Sequence, residues 1–332
     1  MDNSVFPKLI WISFLISAVC SAFISKFGHK IAAVDEPNER SSHLLPTPRG
    51  GGIGIWLAFI LAGFFIIKNT GFVLIASTAG LLGFFEDRFS LPSKFRLAIQ
   101  FVISTAVIWL LAGFPVSTLS AALFLFWVIF VTGTSNFYNF MDGINGIAGL
   151  SGAVGFGLLS YFAFFMSNEP EIALMSASLA SACLGFLPFN ILRAKVFMGD
   201  VGSIFLGFVF GSFVIKLSVD ISVFLCLVMF LNMFYADAVV TILVRWSRGE
   251  NLMKAHRRHL YQYLSNELRL QHWVVSGIYA VVQAAFGLFA LSAYSKGLGW
   301  QLAVFGIFSI MFLVSYKIIK GISSIAGETR IN

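Results

Sequence analysis

Eleven apolar segments, each long enough or nearly so to cross a hydrocarbon layer about 30 Å thick, divide this chain into spans and short polar loops. They run at 7–25, 51–67, 71–85, 97–113, 118–134, 144–166, 171–188, 203–217, 221–244, 272–293 and 299–318. A soluble fold of 332 residues could not hide so much apolar surface. Here 58% of residues are apolar, 38 are Phe and 11% are charged, against about 25% charged in soluble domains. Mean hydropathy is +0.88. Within a bilayer every backbone polar group needs an internal partner, so segments of this length are helices. The expected fold is all-α: a polytopic membrane protein of about eleven transmembrane helices, forming one integral domain over 1–332. The polar stretches 28–50 and 245–271 are too short to enclose a core of their own.

The placement of Lys and Arg orients the expected bundle. With the N-terminus outside and the C-terminus in the cytoplasm, only Lys8, Lys68, Lys216 and Lys296 of the 22 basic residues fall outside. That asymmetry is what the positive-inside rule demands. It also accounts for the net charge of +7 without nucleic acid, because the bases are spread over many short loops rather than gathered in one patch. Cys20, Cys183 and Cys226 lie in apolar runs without metal-ligand spacing and read as small buried side chains.

The acidic residues are less evenly placed. Glu86, Asp87, Asp142 and Asp200 fall at inner helix ends, each in a phrase rich in glycine or amides. Asp237 lies within a span, nearer its inner end, and an ionisable residue at that depth is a functional candidate by default. Adjacent carboxylates such as Glu86 and Asp87 repel each other unless a cation or proton sits between them, and carboxylate oxygens suit Mg²⁺. Lys94 and Arg96 follow, suited to phosphate. In Asn139-Phe140-Met141-Asp142-Gly143-Ile144-Asn145-Gly146 the polar residues recur every three positions, which on a helix end would share one face. In Gly199-Asp200-Val201-Gly202 the acid is either a helix cap or a metal ligand. The loop before the second span carries Asp35, His43, Arg49 and a glycine run, and the large loop carries His256, Arg257, Arg258 and His259. Such bases either contact lipid headgroups or clamp phosphate and move protons. Together these phrases describe one inner-face site for Mg²⁺ and phosphates, where transfer chemistry needs positioning and charge neutralisation.

In this order the phrases resemble the polyprenyl-phosphate N-acetylhexosamine-1-phosphate transferase superfamily, glycosyltransferase family 4, over about 35–262. The wording of the Asp142 phrase and of His256-Arg257-Arg258-His259-Leu260-Tyr261-Gln262 is closest to members that initiate O-antigen-type glycans. The resemblance implies transfer of a sugar 1-phosphate from a UDP-N-acetylhexosamine to undecaprenyl phosphate, with release of UMP, at the bacterial inner membrane. It implies chemistry at Asp87, assisted by Glu86, with Asp142 and His259. It implies substrate contacts from Arg96, Asn139, Asn145, His43, His256, Arg257 and Arg258, and Mg²⁺, or Mn²⁺ in its place, on Asp200 and Asp142. The implied partners are undecaprenyl phosphate, the UDP-sugar and membrane lipids, with a homodimer left open. Glu86, Asn145 and Tyr261-Gln262 depart from the commoner family wording, which has Asp at the first two and His in the last pair. The rival reading is a transporter of a small anionic solute, which suits many spans and Asp237 but not acids gathered at one end.

Overall fold

The computed structural model describes residues 5–37, 45–252, 254 and 256–328. All eleven expected segments are helical. In chain order the helices are α1 (Val5–Ile31), α2 (Gly52–Ile66), α3 (Thr70–Phe89), α4 (Ser93–Ala112), α5 (Thr118–Met141), α6 (Ile147–Phe165), α7 (Pro170–Phe186), α8 (Asp200–Leu217), α9 (Ile221–Val228), α10 (Asn232–Ser247), the short α11 (Leu260–Gln262), α12 (His272–Tyr294) and α13 (Leu298–Glu328). Among the described residues ten stretches are long and apolar enough to cross a membrane, α9 and α10 counting as one, and the shorter α2 makes an eleventh. The chain is a polytopic all-α membrane protein.

The apolar side chains that no neighbour covers lie where lipid would meet them. Trp11, Val19 and Phe23 on α1, Val102 and Trp109 on α4, and Ile307 and Ile310 on α13 are exposed. An outer surface this apolar is stable only against hydrocarbon. Helix α8 is different. Nearly every side chain on it is buried, so it forms the centre of the bundle, flanked by α3 and α5. A helix apolar all round needs such a place.

Where the path breaks, polar side chains take up the freed backbone groups. Between α9 and α10 the chain makes one 3₁₀ turn, Met229–Leu231. Asn232 Nδ2 donates to the Met229 carbonyl at 2.8 Å, and Gln283 Nε2 of α12 donates to the Phe230 carbonyl at 2.7 Å. The loop after α1 forms a two-stranded ribbon, β1 (Val34–Asp35) antiparallel to β2 (Thr47–Pro48). The following residues are stitched to the segment before α8: Phe197 N donates to Pro48 O, Gly51 N to Phe197 O and Gly52 N to Met198 O, each at 2.8 Å.

Two boundaries differ from the hydropathy reading, and both differences bear on the site. Helix α5 continues past residue 134 to Met141, carrying Asn136 and Asn139 on helical backbone. It then stops, and α6 begins only at Ile147. The expectation that Asn139, Asp142 and Asn145 share a helix face therefore fails: only Asn139 is helical, because the glycine-rich turn between the helices interrupts it. Helix α8 starts at Asp200, three residues before the apolar run. Hydropathy marks the part of a helix in hydrocarbon, whereas these helix ends project polar residues beyond it.

Candidate active site

The alternating directions of the spans bring the C-terminal ends of α3, α5 and α10 and the N-terminal ends of α4 and α8 to one end of the bundle. Four of the singled-out residues meet there directly. Arg96 Nη1, on the first turns of α4, lies 3.2 Å from Glu86 Oε1 and 3.2 Å from Asp200 Oδ2. Asn139 Nδ2 donates to Asp200 Oδ1 and to Ser203 Oγ, both at 3.0 Å. Asp200 is thus held from two sides, by a cation and by an amide, and Arg96 serves two acids at once. Glu86 Oε2 is buried with no partner.

Asp87 has another role in the geometry. Its Oδ1 accepts the Asp200 N–H at 3.0 Å and its Oδ2 accepts the Val201 N–H at 3.1 Å. These donors belong to the first turn of α8, where four N–H groups have no partner within the helix and where the helix dipole favours a negative charge. The cap on α8 is therefore a side chain from α3. It needs Gly199, whose φ is +77° and whose missing Cβ would stand 2.5 Å from Asp87 Oδ2. Asp200 itself is the first helical residue, not the cap.

Asp142 caps the C-terminus of α5 and is half-buried. Its carboxyl is pushed well above the ordinary carboxylate range by desolvation, with the Asp200 and Asp87 charges adding to the effect. Asp142 thus sits close enough to two other acids for their charges to disfavour its own ionisation, the arrangement that a bound cation relieves. The backbone of Asn145 is tied to α12: its N–H approaches His272 Nδ1 at 3.4 Å and its carbonyl accepts from Ser276 Oγ at 2.8 Å.

The large loop docks over this end. Arg245, buried at the end of α10, aims its guanidinium at the carbonyls of Asn251, Leu252 and Lys254 and at Glu250. Glu250 also pairs with Arg258. His259 is buried, its ring 4.9 Å from that of His256 and stacked on Tyr261 at 5.6 Å. Burial lowers His256 to about 4, helped by the nearby charges of His259, Arg245 and Arg258. Tyr261 Oη donates to the Phe140 carbonyl at 3.1 Å and lies over Gly143, where a Cβ would collide with the hydroxyl. The glycine beside Asp142 is thus matched to the tyrosine beside His259. Arg257 sits beside them with partners of its own. His43 lies outside the described residues.

A cleft of about 560 Å³ opens between α4, α5, α10 and the loop. Its lining is polar at Arg96, Asn136, Asn139, His256, His259 and Lys254 and apolar at Leu97, Phe101, Ile129 and Ile242, with Phe101 and Ile129 farther from the polar helix ends along α4 and α5 than Arg96 and Asn139. Asp87 instead borders a second groove of about 670 Å³ between α1, α2 and α3, with Arg49 and Arg88 among otherwise apolar walls. The structure therefore gathers Glu86, Asp87, Arg96, Asn139 and Asp200 into one network, sets Asp142, His256 and His259 around it, and ties Asn145 and Arg258 into the neighbouring backbone and loop. Sequence reasoning passed over Arg245 and Ser203 as site-builders. It marked Asp237 as a functional candidate from its depth in a span, but gave it no partner and no role.

A many-span membrane protein with carboxylates, amides and an arginine converging at one end of a half-apolar cleft is the class that fold and site define. Its relatives narrow the class. The glycosyl transferase family 4 profile matches residues 69–218, a stretch that holds Glu86, Asp87, Arg96, Asn139, Asp142, Asn145 and Asp200 and ends before the large loop. Decaprenyl-phosphate N-acetylglucosaminephosphotransferase of Mycobacterium tuberculosis is 28% identical over 232 residues, 58% of this chain and 55% of that protein. Undecaprenyl-phosphate alpha-N-acetylglucosaminyl 1-phosphate transferase of Thermotoga maritima is 30% identical over 198 residues, 58% and 60% of the two chains. Phospho-N-acetylmuramoyl-pentapeptide-transferase of Staphylococcus haemolyticus is 30% identical over 231 residues, 60% of this chain and 71% of its own. The first two matches span little more than half of each relative's length. The chain belongs to glycosyl transferase family 4, the family of polyprenyl-phosphate N-acetylhexosamine-1-phosphate transferases.

Proposed function

We propose that this protein transfers an N-acetylhexosamine 1-phosphate from a UDP-sugar to undecaprenyl phosphate, at the cytoplasmic face of the bacterial inner membrane. An oxygen of the lipid phosphate attacks the β-phosphorus of the UDP-sugar, the bond to the α-phosphate oxygen breaks, and UMP leaves. The product, undecaprenyl-diphosphate-sugar, starts an O-antigen or related envelope glycan. The observation that carries the reading is the cleft itself. Its charged part ends at Arg96 and Asn139, both bonded to Asp200, and its apolar part runs past Phe101 and Ile129, which are exposed toward lipid. A phosphate on a long apolar tail matches both parts.

In this reading Glu86 and Asp87 act on the lipid phosphate. Arg96 neutralises it, and Asn139, Asn145, His256, Arg257, Arg258 and His43 hold the nucleotide, sugar and diphosphate. His259 meets a phosphate and moves its proton. Asp142 and Asp200 are the residues that would hold Mg²⁺, or Mn²⁺ in its place. The donor set fits such an ion: hard oxygens, mutual repulsion at Asp142, and an unpartnered buried Glu86 Oε2 nearby. Among the described residues no three His, Cys, Asp or Glu side chains form a ready-made cage. Mg²⁺ is ordinarily held by one or two carboxylates, waters and substrate phosphates. When bound, the ion supplies charge neutralisation on the diphosphate. The whole chain acts as one domain, alone or as a homodimer.

The test is an assay of purified protein with undecaprenyl phosphate, a panel of UDP-N-acetylhexosamines and Mg²⁺, following UMP. UMP release that needs both lipid and one donor, and that stops with EDTA, is expected. No release with any donor, together with solute uptake into vesicles, would replace the proposal with the transporter reading.

A further inference from the structure

Asp237 is the only carboxylate among the described residues that is fully buried, and both of its oxygens are taken up. Oδ1 accepts the Leu260 N–H at 2.8 Å and the Thr241 hydroxyl at 3.2 Å, and it lies 3.3 Å from His259 Nδ1. Oδ2 accepts the Tyr279 hydroxyl at 2.7 Å and the Tyr261 N–H at 3.3 Å. A carboxylate in hydrocarbon depth is costly, and here the cost is offset by four donors drawn from α10, α12 and the large loop, with the His259 ring as a further partner. A residue with so many fixed partners is unsuited to carrying a solute. It is suited to fixing one ring. Two of its partners are the backbone N–H groups directly after His259, and a third is the His259 ring.

The ring's surroundings give that contact a consequence. His259 lines the cleft together with Arg96 and Asn139, while its Nδ1 faces Asp237. Of the two imidazole nitrogens, the one beside a carboxylate keeps its proton, which settles the tautomer of the neutral ring. We propose that Asp237 is a positioning residue that holds the His259 proton on Nδ1 and so presents Nε2, as an acceptor, to a phosphate in the cleft. In the neutral ring Nε2 then pairs with a protonated phosphate oxygen, the monoanion of a phosphate monoester such as the head of a polyprenyl phosphate. The geometry stands alone; its consequence for turnover rests on the transfer reaction proposed above.

The experiment has two arms. In the first, protein with ¹⁵N-labelled histidine is placed in lipid nanodiscs, and the ring nitrogens of its five His are recorded, with His259→Gln assigning the signal. Proton on Nδ1 in the natural protein, and a loss of that preference in Asp237→Asn, are expected. Tyr279→Phe, which removes an Oδ2 donor remote from the ring, leaves the tautomer unchanged. Proton on Nε2 in the natural protein overturns the inference whatever the variants do, as does an unchanged signal in Asp237→Asn. The second arm measures turnover. Asp237→Asn and His259→Gln each lower kcat by about 100-fold or more, the scale of general acid–base catalysis, with KM for the UDP-sugar little changed. The double variant is no slower than His259→Gln alone, and Asp237→Glu recovers part of the rate. Additive losses would mean that Asp237 supports the fold independently of His259, and would sink the inference. If the natural protein transfers nothing, the proposed function fails while the first arm still decides the tautomer.

Discussion

Asp87→Asn tests two roles that the geometry assigns to one carboxylate. In the native arrangement its oxygens accept the N–H groups of Asp200 and Val201 at 3.0 and 3.1 Å. An amide keeps one acceptor and turns its NH₂ against the other N–H. The change removes a charge-assisted hydrogen bond, worth about 1.5–3 kcal/mol, and the attraction of the charge for the helix N-terminus, worth about 0.3–1 kcal/mol. The loss is roughly 2–4 kcal/mol, enough at about 2 °C or more per kcal/mol to lower the unfolding midpoint by several degrees. The protein stays folded at ordinary temperature, and transfer falls by at least about 100-fold, since a group aligning a nucleophile contributes on that scale. Tryptophan fluorescence on heating gives the midpoint, and UMP release at a temperature well below it gives the rate. An unchanged midpoint refutes the cap. A lowered midpoint with near-normal turnover per folded molecule refutes the chemical role and leaves Asp87 as structure alone.

Gly143→Ala drives a methyl into Tyr261 Oη, so activity drops; adding Tyr261→Phe removes the colliding atom and restores part of it, as paired initial rates would show. Arg96→Ala leaves Glu86 and Asp200 facing each other without the guanidinium 3.2 Å from both, which is expected to cost about 100-fold or more in rate. Extra Mg²⁺ recovers part of that loss and Arg96→Lys falls between, both read from rates across a metal titration. His256 titrates near 4 in the fold against about 6.5 when unfolded. Between those values the unfolded chain binds more protons, so stability is lost as pH falls through this window and regained as it rises. His256→Gln therefore flattens the drop in unfolding midpoint between pH 7 and pH 5, and an equal drop in both proteins would contradict the burial that lowers it.

The spans were readable because hydrocarbon leaves the chain few choices. Each of the eleven apolar runs became a helix, since neither loop nor open strand can sit in lipid with its backbone unpaired. The gathering of Glu86, Asp142 and Asp200 was readable for the same reason: alternating spans force odd and even loops to opposite ends, and these acids fall in loops of one parity. What hydropathy could not see was which atoms face which. The contacts of Asp87 with Asp200 and of Arg96 with Asp200 join residues more than a hundred positions apart, and no local pattern encodes them. The even spacing of Asn139, Asp142 and Asn145 suggested a shared helix face, but α5 ends at Met141, Gly143 leaves room for Tyr261 to approach, and Gly146 with its positive φ opens α6.

The deeper difficulty is that a capping acid and a reacting acid share a signature. Each is a carboxylate beside glycine near a helix end, because each uses oriented donors around a negative charge. In the proposed reaction the two uses are joined at α8. The helix end that binds Asp87 through its N–H groups also carries Asp200 in its first turn, with Arg96 and Asn139 bonded to that acid's carboxylate. Asp87 cannot move without shifting the start of α8, and with it the acid that Arg96 and Asn139 hold. The cap therefore couples the position of the acid pair on α3 to that of Asp200, and in the proposed reaction that is the separation a bridging phosphate has to match. A shorter or longer side chain at position 87 alters that separation even where the charge is kept. Asp87→Glu is accordingly expected to lose transfer despite its carboxylate, and full activity in that variant would separate the cap from the chemistry.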